Sequence, residues 1–260
     1  MPGMPQQSET RSSISVLGLI SPAVVLCIWE TAGALGWVNT ILLPRPSQIV
    51  QSLFELVADG AVVSPLIHTV VLFLVGYCLA SIIGIALGIA MAMSQVLYGL
   101  FEPLVEIVRP IPKSALVPVL FLFLGIGKAT MVVIVVLAAV FPILISTFQG
   151  VRGLDPVLLE TARTFQVSRW RTIFSIVLPA SLPMILAGMR VALGLGLVLV
   201  ILAEMLAGED GIGFRVLDLQ RAFQIREMFA WIFVLVVLGG GLMLLFDMIE
   251  RRLVPWRGKT

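Results

Sequence analysis

Asp155–Pro179 reads DPVLLETARTFQVSRWRTIFSIVLP, and it stands between two strongly apolar runs. Asp155-Pro156 is a helix start: a side-chain acceptor at the cap, then a ring that needs no N–H partner. Leu158, Leu159, Ala162 and Phe165 fall on one helical face. Ser168 can cap a second short helix, with Trp170, Phe174 and Val177 on its apolar side. A segment this short has no core of its own, so something else must cover those faces. The simplest alternative is an interfacial helix with its arginines on headgroups.

The flanking composition fixes the class. The chain is 59% hydrophobic and 12% charged, with a mean hydropathy of +1.09. Soluble domains carry about a quarter charged residues, so this is an integral membrane protein. The apolar runs are long and continuous, which predicts helices and excludes a barrel of alternating strands. A net charge of +2 is too small to suggest nucleic acid. Cys27 and Cys78 both lie in apolar runs and predict neither a disulfide framework nor a metal site.

Six spans are expected, at about 14–38, 66–96, 100–125, 129–148, 181–207 and 228–249, within one domain over 14–253. Residues 1–13 read as a polar, disordered start and 254–260 as a polar tail. Glu30 and the length of the first run argue against a cleaved signal peptide, despite Ala32-Gly33-Ala34. Residues 39–65 form a loop punctuated by Pro44 and Pro46, with Ile49, Leu53, Leu56 and Val57 on one face of an amphipathic helix.

In the second span Gly76, Ala80, Gly84, Gly88 and Ala92 recur every fourth residue. Such a stripe lets a neighbouring backbone approach closely, as helix packing in lipid requires. His68 is the sole histidine and has no companion ligands in sequence. In the third span Glu102, Glu106, Arg109 and Lys113 would share a face of an unbroken helix, but Pro110, Pro112 and Pro118 interrupt it. Charges at membrane depth face a bundle interior, a cavity or the interface, so these four are candidates for a gate or pathway. In the fifth span Arg190 and Glu204 share a face, yet at about 21 Å apart they cannot pair. They are further pathway candidates, each in need of another partner. Arg190, Arg109 and Lys113 are the cations that could attract an anion.

With an even number of spans both ends share a side. That side carries Arg11, Arg152, Arg163, Arg169, Arg171, Arg251, Arg252, Arg257 and Lys259. The other carries Arg45, Lys128, Arg215, Arg221 and Arg226, with Arg109, Lys113 and Arg190 inside the spans left uncounted. The bias puts both termini and the 155–179 loop in the cytoplasm. No catalytic cluster is present. Gly258-Lys259-Thr260 imitates the end of a phosphate loop, but Leu253 holds the first glycine position. An energy source, if one is used, must come from another chain.

Glu160-Thr161-Ala162, then Gln166, then Ile176-Val177-Leu178-Pro179 resembles the EAA loop of ABC importer permeases: E-A-A, a gap of three, G, a gap of nine, then I-x-L-P. Thr161 stands where alanine is usual and Gln166 where glycine usually lets the chain turn. RPIPKSALVPVLFLFLGIG at 109–127 and ERRLVPWRG at 250–258 resemble the nitrate, sulfonate, taurine and bicarbonate subfamily. The resemblance implies a six-helix bundle of the type I importer kind in a bacterial inner membrane, without an ATP site of its own. It implies two copies of the permease, two cytoplasmic ATPases that bind ATP and magnesium, and an external solute-binding protein. It assigns Glu160, Thr161, Ala162, Ile176, Leu178 and Pro179 to the ATPase-coupling loop, with Gln166 at the glycine site; Phe165 and Trp170 are the apolar docking residues. Two rivals remain at this level. An ion-coupled secondary transporter would need mid-membrane carboxylates or paired repeats, for which only Glu204 and the proline-rich span speak. A membrane enzyme would need a catalytic constellation.

Overall fold

The computed structural model describes residues 10–255, and among these every regular element is a helix. The chain forms two compact units: residues up to Ala61 with Asp218–Phe233, and Val62–Leu217 with Val234 onward.

In the first unit α1 covers Thr10–Ala34 and α2 covers Pro46–Ala58. Helix begins inside the segment expected to be disordered, and residues 1–9 lie outside the described part. The Glu30 carboxylate accepts from the Ser47 N–H (3.0 Å) and hydroxyl (2.9 Å), which ties the start of α2 to α1. Ile49 is buried, as its place on the apolar face of α2 anticipates.

The second unit is built on α3 (Val63–Met93), α6 (Lys128–Arg152) and α9 (Leu178–Ala207). Phe73, Ile134, Val135, Ile143, Ala192 and Val200 sit between them, each no more than 1% exposed. A Cβ added at Gly76 would stand 2.6 Å from Val135, at Gly84 3.0 Å from Ile143, and at Gly88 2.7 Å from Thr147. At Gly76 and Gly88 the approach is closer than a side chain allows, and at Gly84 it is tighter than nearly all real contacts, so the small residues set the α3–α6 distance. Ala80 is fully buried in the same stripe, whereas Ala92 is half-buried under the 155–179 segment. Tyr77 stacks on Phe73 and donates its hydroxyl to the Met189 carbonyl at 2.8 Å, joining α3 to α9.

These contacts fix direction. Positions rise together along α3 and α6, so the two run parallel; α9 runs against both. The chain between α3 and α6 must therefore return across the same thickness. It does so as α4 (Gln95–Val108) and α5 (Lys113–Leu124), bent by 99°. Among the described residues four helices are long and apolar enough to cross a bilayer, five crossings if the bent pair is one span, and Ile20–Ala34 is a shorter apolar helix. The expected third span is thus broken into two helices at Pro110 and Pro112, whereas Pro118, also expected to interrupt it, lies inside α5. Pro110 and Pro112 supply no N–H to continue α4.

Two further departures concern the loops. Helix α7 (Pro156–Thr164) is separate, but α8 (Arg169–Thr172) runs through a π turn (Ile173–Val177) directly into α9. The polar segment after α9 contains α10 (Ile212–Arg221), and α11 spans Ile225–Leu253.

Candidate functional site

One end of the second unit gathers the ends of α3, α6 and α11 with the whole of α7 and α8. The Asp155 carboxylate accepts from the Val157 N–H at 2.9 Å and Ser168 Oγ from the Arg171 N–H at 3.4 Å, so both helices are capped as their sequences anticipate. Between them Gln166 has φ +51. Its N–H donates to Arg163 O (3.0 Å) and that of Val167 to Ala162 O (2.9 Å). This is a Schellman turn with glutamine in the left-handed position where glycine is favoured. The turn that glycine would make is made without it.

Ala162 is buried and Leu159 half-buried, so one edge of α7 rests on the bundle. Its other edge is bare: Val157 is 61% and Phe165 77% exposed. Glu160, Thr161 and Gln166 are exposed too. Trp170 stacks on Phe174 with ring centroids 6.2 Å apart, and both are exposed. Ile176, Leu178 and Pro179 lie on the continuous helix from the π turn into α9, not on a second surface helix.

At this same end Arg190 meets two carboxylates of α11, Asp247 at 2.6 Å and Glu250 at 2.5 Å. Its charge is balanced, and it ties α9 to α11 rather than standing open to an anion. In the bent pair, Arg109 and Glu106 form an exposed pair at 3.7 Å, a geometry that contributes little. The Lys113 ammonium donates to the carbonyls of Val108, Arg109 (3.2 Å) and Ile111 (2.9 Å) and lies 4.9 Å from the Phe141 ring. It caps the end of α4 that the prolines leave open, where a cation also suits the helix dipole. Glu102 is half-buried on α4. The break therefore separates the four charges that an unbroken helix would align.

The opposite end holds a cluster that sequence reading assembled only in part. Glu204 is fully buried. It accepts from Thr69 Oγ1 (2.8 and 3.0 Å) and from the Gly213 N–H (2.9 Å). Thr69 Oγ1 in turn accepts from the Ile212 N–H at 3.0 Å, and His68 Nδ1 lies 3.5 Å from the carboxylate. Gly211 has φ +106, and any Cβ there would run into the Glu204 carboxylate. The Gly-Ile-Gly at 211–213, seven residues beyond an intramembrane acid, is the signal that could have revealed this turn. His68 and Thr69 could not have been found, since their partner lies more than 130 residues away.

Residues 80–259 match the family model for the binding-protein-dependent transport system inner membrane component. The chain belongs to this family. Among its relatives, the permease is 32% identical to the putative aliphatic sulfonates transport permease protein SsuC of Bacillus subtilis, over 92% of this chain and 87% of that one. It is 29% identical to the taurine transport system permease protein TauC of Escherichia coli, over 92% and 88%, and 26% identical to the nitrate import permease protein NrtB of Synechocystis, over 91% and 88%. In fold it matches a chain of the inward-facing MetNI methionine ABC transporter, with a TM-score of 0.62 and 18% identity over 72% of this permease and 93% of that chain.

Proposed function

We propose that this permease forms the translocation pathway of an ATP-driven importer for a small anionic solute of the sulfonate, taurine or nitrate class, and that α7 is the element through which a cytoplasmic ATPase drives it. The observation that carries the proposal is the bare edge of α7: a short capped helix outside the spans, seated on the bundle through Leu159 and Ala162, with Val157, Leu158 and Phe165 uncovered. An apolar edge of this kind marks a contact with a protein or a membrane surface, and the EAA-like spacing of the segment supports a protein partner.

The end that carries α7 also carries Arg152, Arg163, Arg169, Arg171, Arg251 and Arg252, which favours a cytoplasmic position. With α1 as a further crossing the spans number six and both termini are cytoplasmic. The assembly has two permease copies, two ATPases that hold ATP and magnesium, and an external solute-binding protein. Closure of the ATPases pulls α7, and the continuous rod from α8 through the π turn passes that displacement into α9. Two global states biased by nucleotide suffice for alternating access.

Glu160→Lys reverses an exposed charge on α7 without touching the core. The variant inserts normally but hydrolyses ATP without uptake in proteoliposomes containing the ATPase and binding protein. Uptake at the wild-type rate would remove α7 from the coupling path.

A further inference from the structure

Beneath α7 a groove of about 1310 Å³ opens among α3, the π turn and the end of α6. It exceeds the roughly 300–1,000 Å³ of sites for drug-sized ligands, so it suits a longer one. Its body is apolar, from Ile82, Ile89 and Met93 on α3 to Phe174 and Val177 on the π turn. Arg152, Arg163 and Arg169 also line it, and among the described residues no carboxylate does. Among the described residues none of these three arginines is in an ion pair. The Arg152 guanidinium lies against the stacked rings of Tyr98 (4.6 Å) and Phe148 (5.1 Å), a cation–π contact that favours this position.

Length and depth decide the occupant. From Ile82 to Met93 the groove follows α3 for about 17 Å. That is close to one leaflet of hydrocarbon, about 15 Å. Its wall is the last part of an apolar span, so its inner reach lies in the bilayer, where a soluble ATPase cannot enter. The cations belong to the elements that meet at the end of that span. Trp170, at the groove margin, is of the type that settles at headgroup level.

We propose that this groove binds one anionic phospholipid, its phosphate on Arg152, Arg163 and Arg169 and an acyl chain along α3. The lipid would fill the space between the bundle and the helix through which the ATPase acts. The inference rests on the cytoplasmic orientation given above but not on ATPase docking.

The test is native mass spectrometry of the full chain in mild detergent, titrated with phosphatidylglycerol or with phosphatidylcholine of the same acyl chains. The expected result is one phosphatidylglycerol per chain, retained in roughly tenfold or greater preference over phosphatidylcholine. Combined Arg152→Gln, Arg163→Gln and Arg169→Gln removes that preference; all three side chains are exposed, so the fold is spared. Ala86→Phe, at an exposed groove position, blocks the acyl chain and lowers retention of both lipids with the arginines intact. Equal retention of the two lipids, or a preference that survives the triple substitution, overturns the proposal. So does loss of the bound lipid when the ATPase or a second copy of the chain binds, since the groove would then be a protein interface. Co-purification of ATPase with Ala86→Phe reads the docking of α7 separately.

Discussion

Thr69→Val removes one hydroxyl from a site with no solvent and almost no change of shape. Thr69 is fully buried; its hydroxyl donates to the Glu204 carboxylate and accepts from the Ile212 N–H. The substitution takes a donor from a buried carboxylate, about 1.5–3 kcal/mol, and orphans a backbone N–H, about 1–3 kcal/mol. Such losses overlap within one network, so the combined cost is about 2–4 kcal/mol. By the scaling for a chain of this size that lowers the melting temperature by about 5–15 °C. Thr69→Ser keeps the hydroxyl and loses a methyl, at about 1 kcal/mol. Unfolding of the detergent-solubilised protein, followed by tryptophan fluorescence, separates the two. Hydrogen exchange adds the location: the amides of Ile212 and Gly213 should exchange faster in Thr69→Val than in Thr69→Ser. If both variants melt together, or if these amides keep their protection, the cluster does not hold the α9–α10 turn against α3.

Gly84→Leu forces side-chain atoms into Ile143 and the Val140 carbonyl, each 3.0 Å from the position of a Cβ. Overpacking of this kind costs about 1–3 kcal/mol or more, and an unchanged melting temperature would show that the α3–α6 approach contributes nothing. Gln166→Val places a β-branched residue at φ +51, where left-handed backbone already costs about 1–2 kcal/mol; the α7–α8 turn should become the most protease-sensitive site in the chain. Gln166→Gly should protect it, and equal cleavage of both variants would refute the left-handed turn.

The fold was legible where the physics is local. Long apolar runs dictate helices in lipid because each backbone polar group must be satisfied within its own segment. Asp155 and Ser168 announced their helices because a cap is a contact over two or three residues. The glycine stripe was visible because its period is the helix's own. Placement of charge was less legible, because partners come from distant elements. Arg190 showed as a cation in need of a partner, but Asp247 and Glu250 of α11 could not be named as that partner. Glu204 showed as an acid in need of a partner, but Thr69 could not be named as that partner. Lys113 looked aligned with Glu106 and Arg109, yet the prolines that break the span also create the bare carbonyls it caps. The parallel course of α3 and α6 agrees with the single crossing that the order of apolar runs placed between them. The family resemblance rested on the 155–179 spacing, and the turn at Gln166 reaches by a strained glutamine the shape that glycine usually supplies.

Whether α7 seats an ATPase is most directly measured by purifying the tagged permease from its native membrane and quantifying the ATPase that accompanies it, with and without Phe165→Asp. Phe165 is 77% exposed and lies outside the groove, so the charge disturbs only the bare edge of α7. The account predicts stoichiometric ATPase with the wild type and loss of it in the variant, at an unchanged melting temperature of the permease itself. An ATPase retained in full by Phe165→Asp, or absent from the wild type in several detergents, would contradict it.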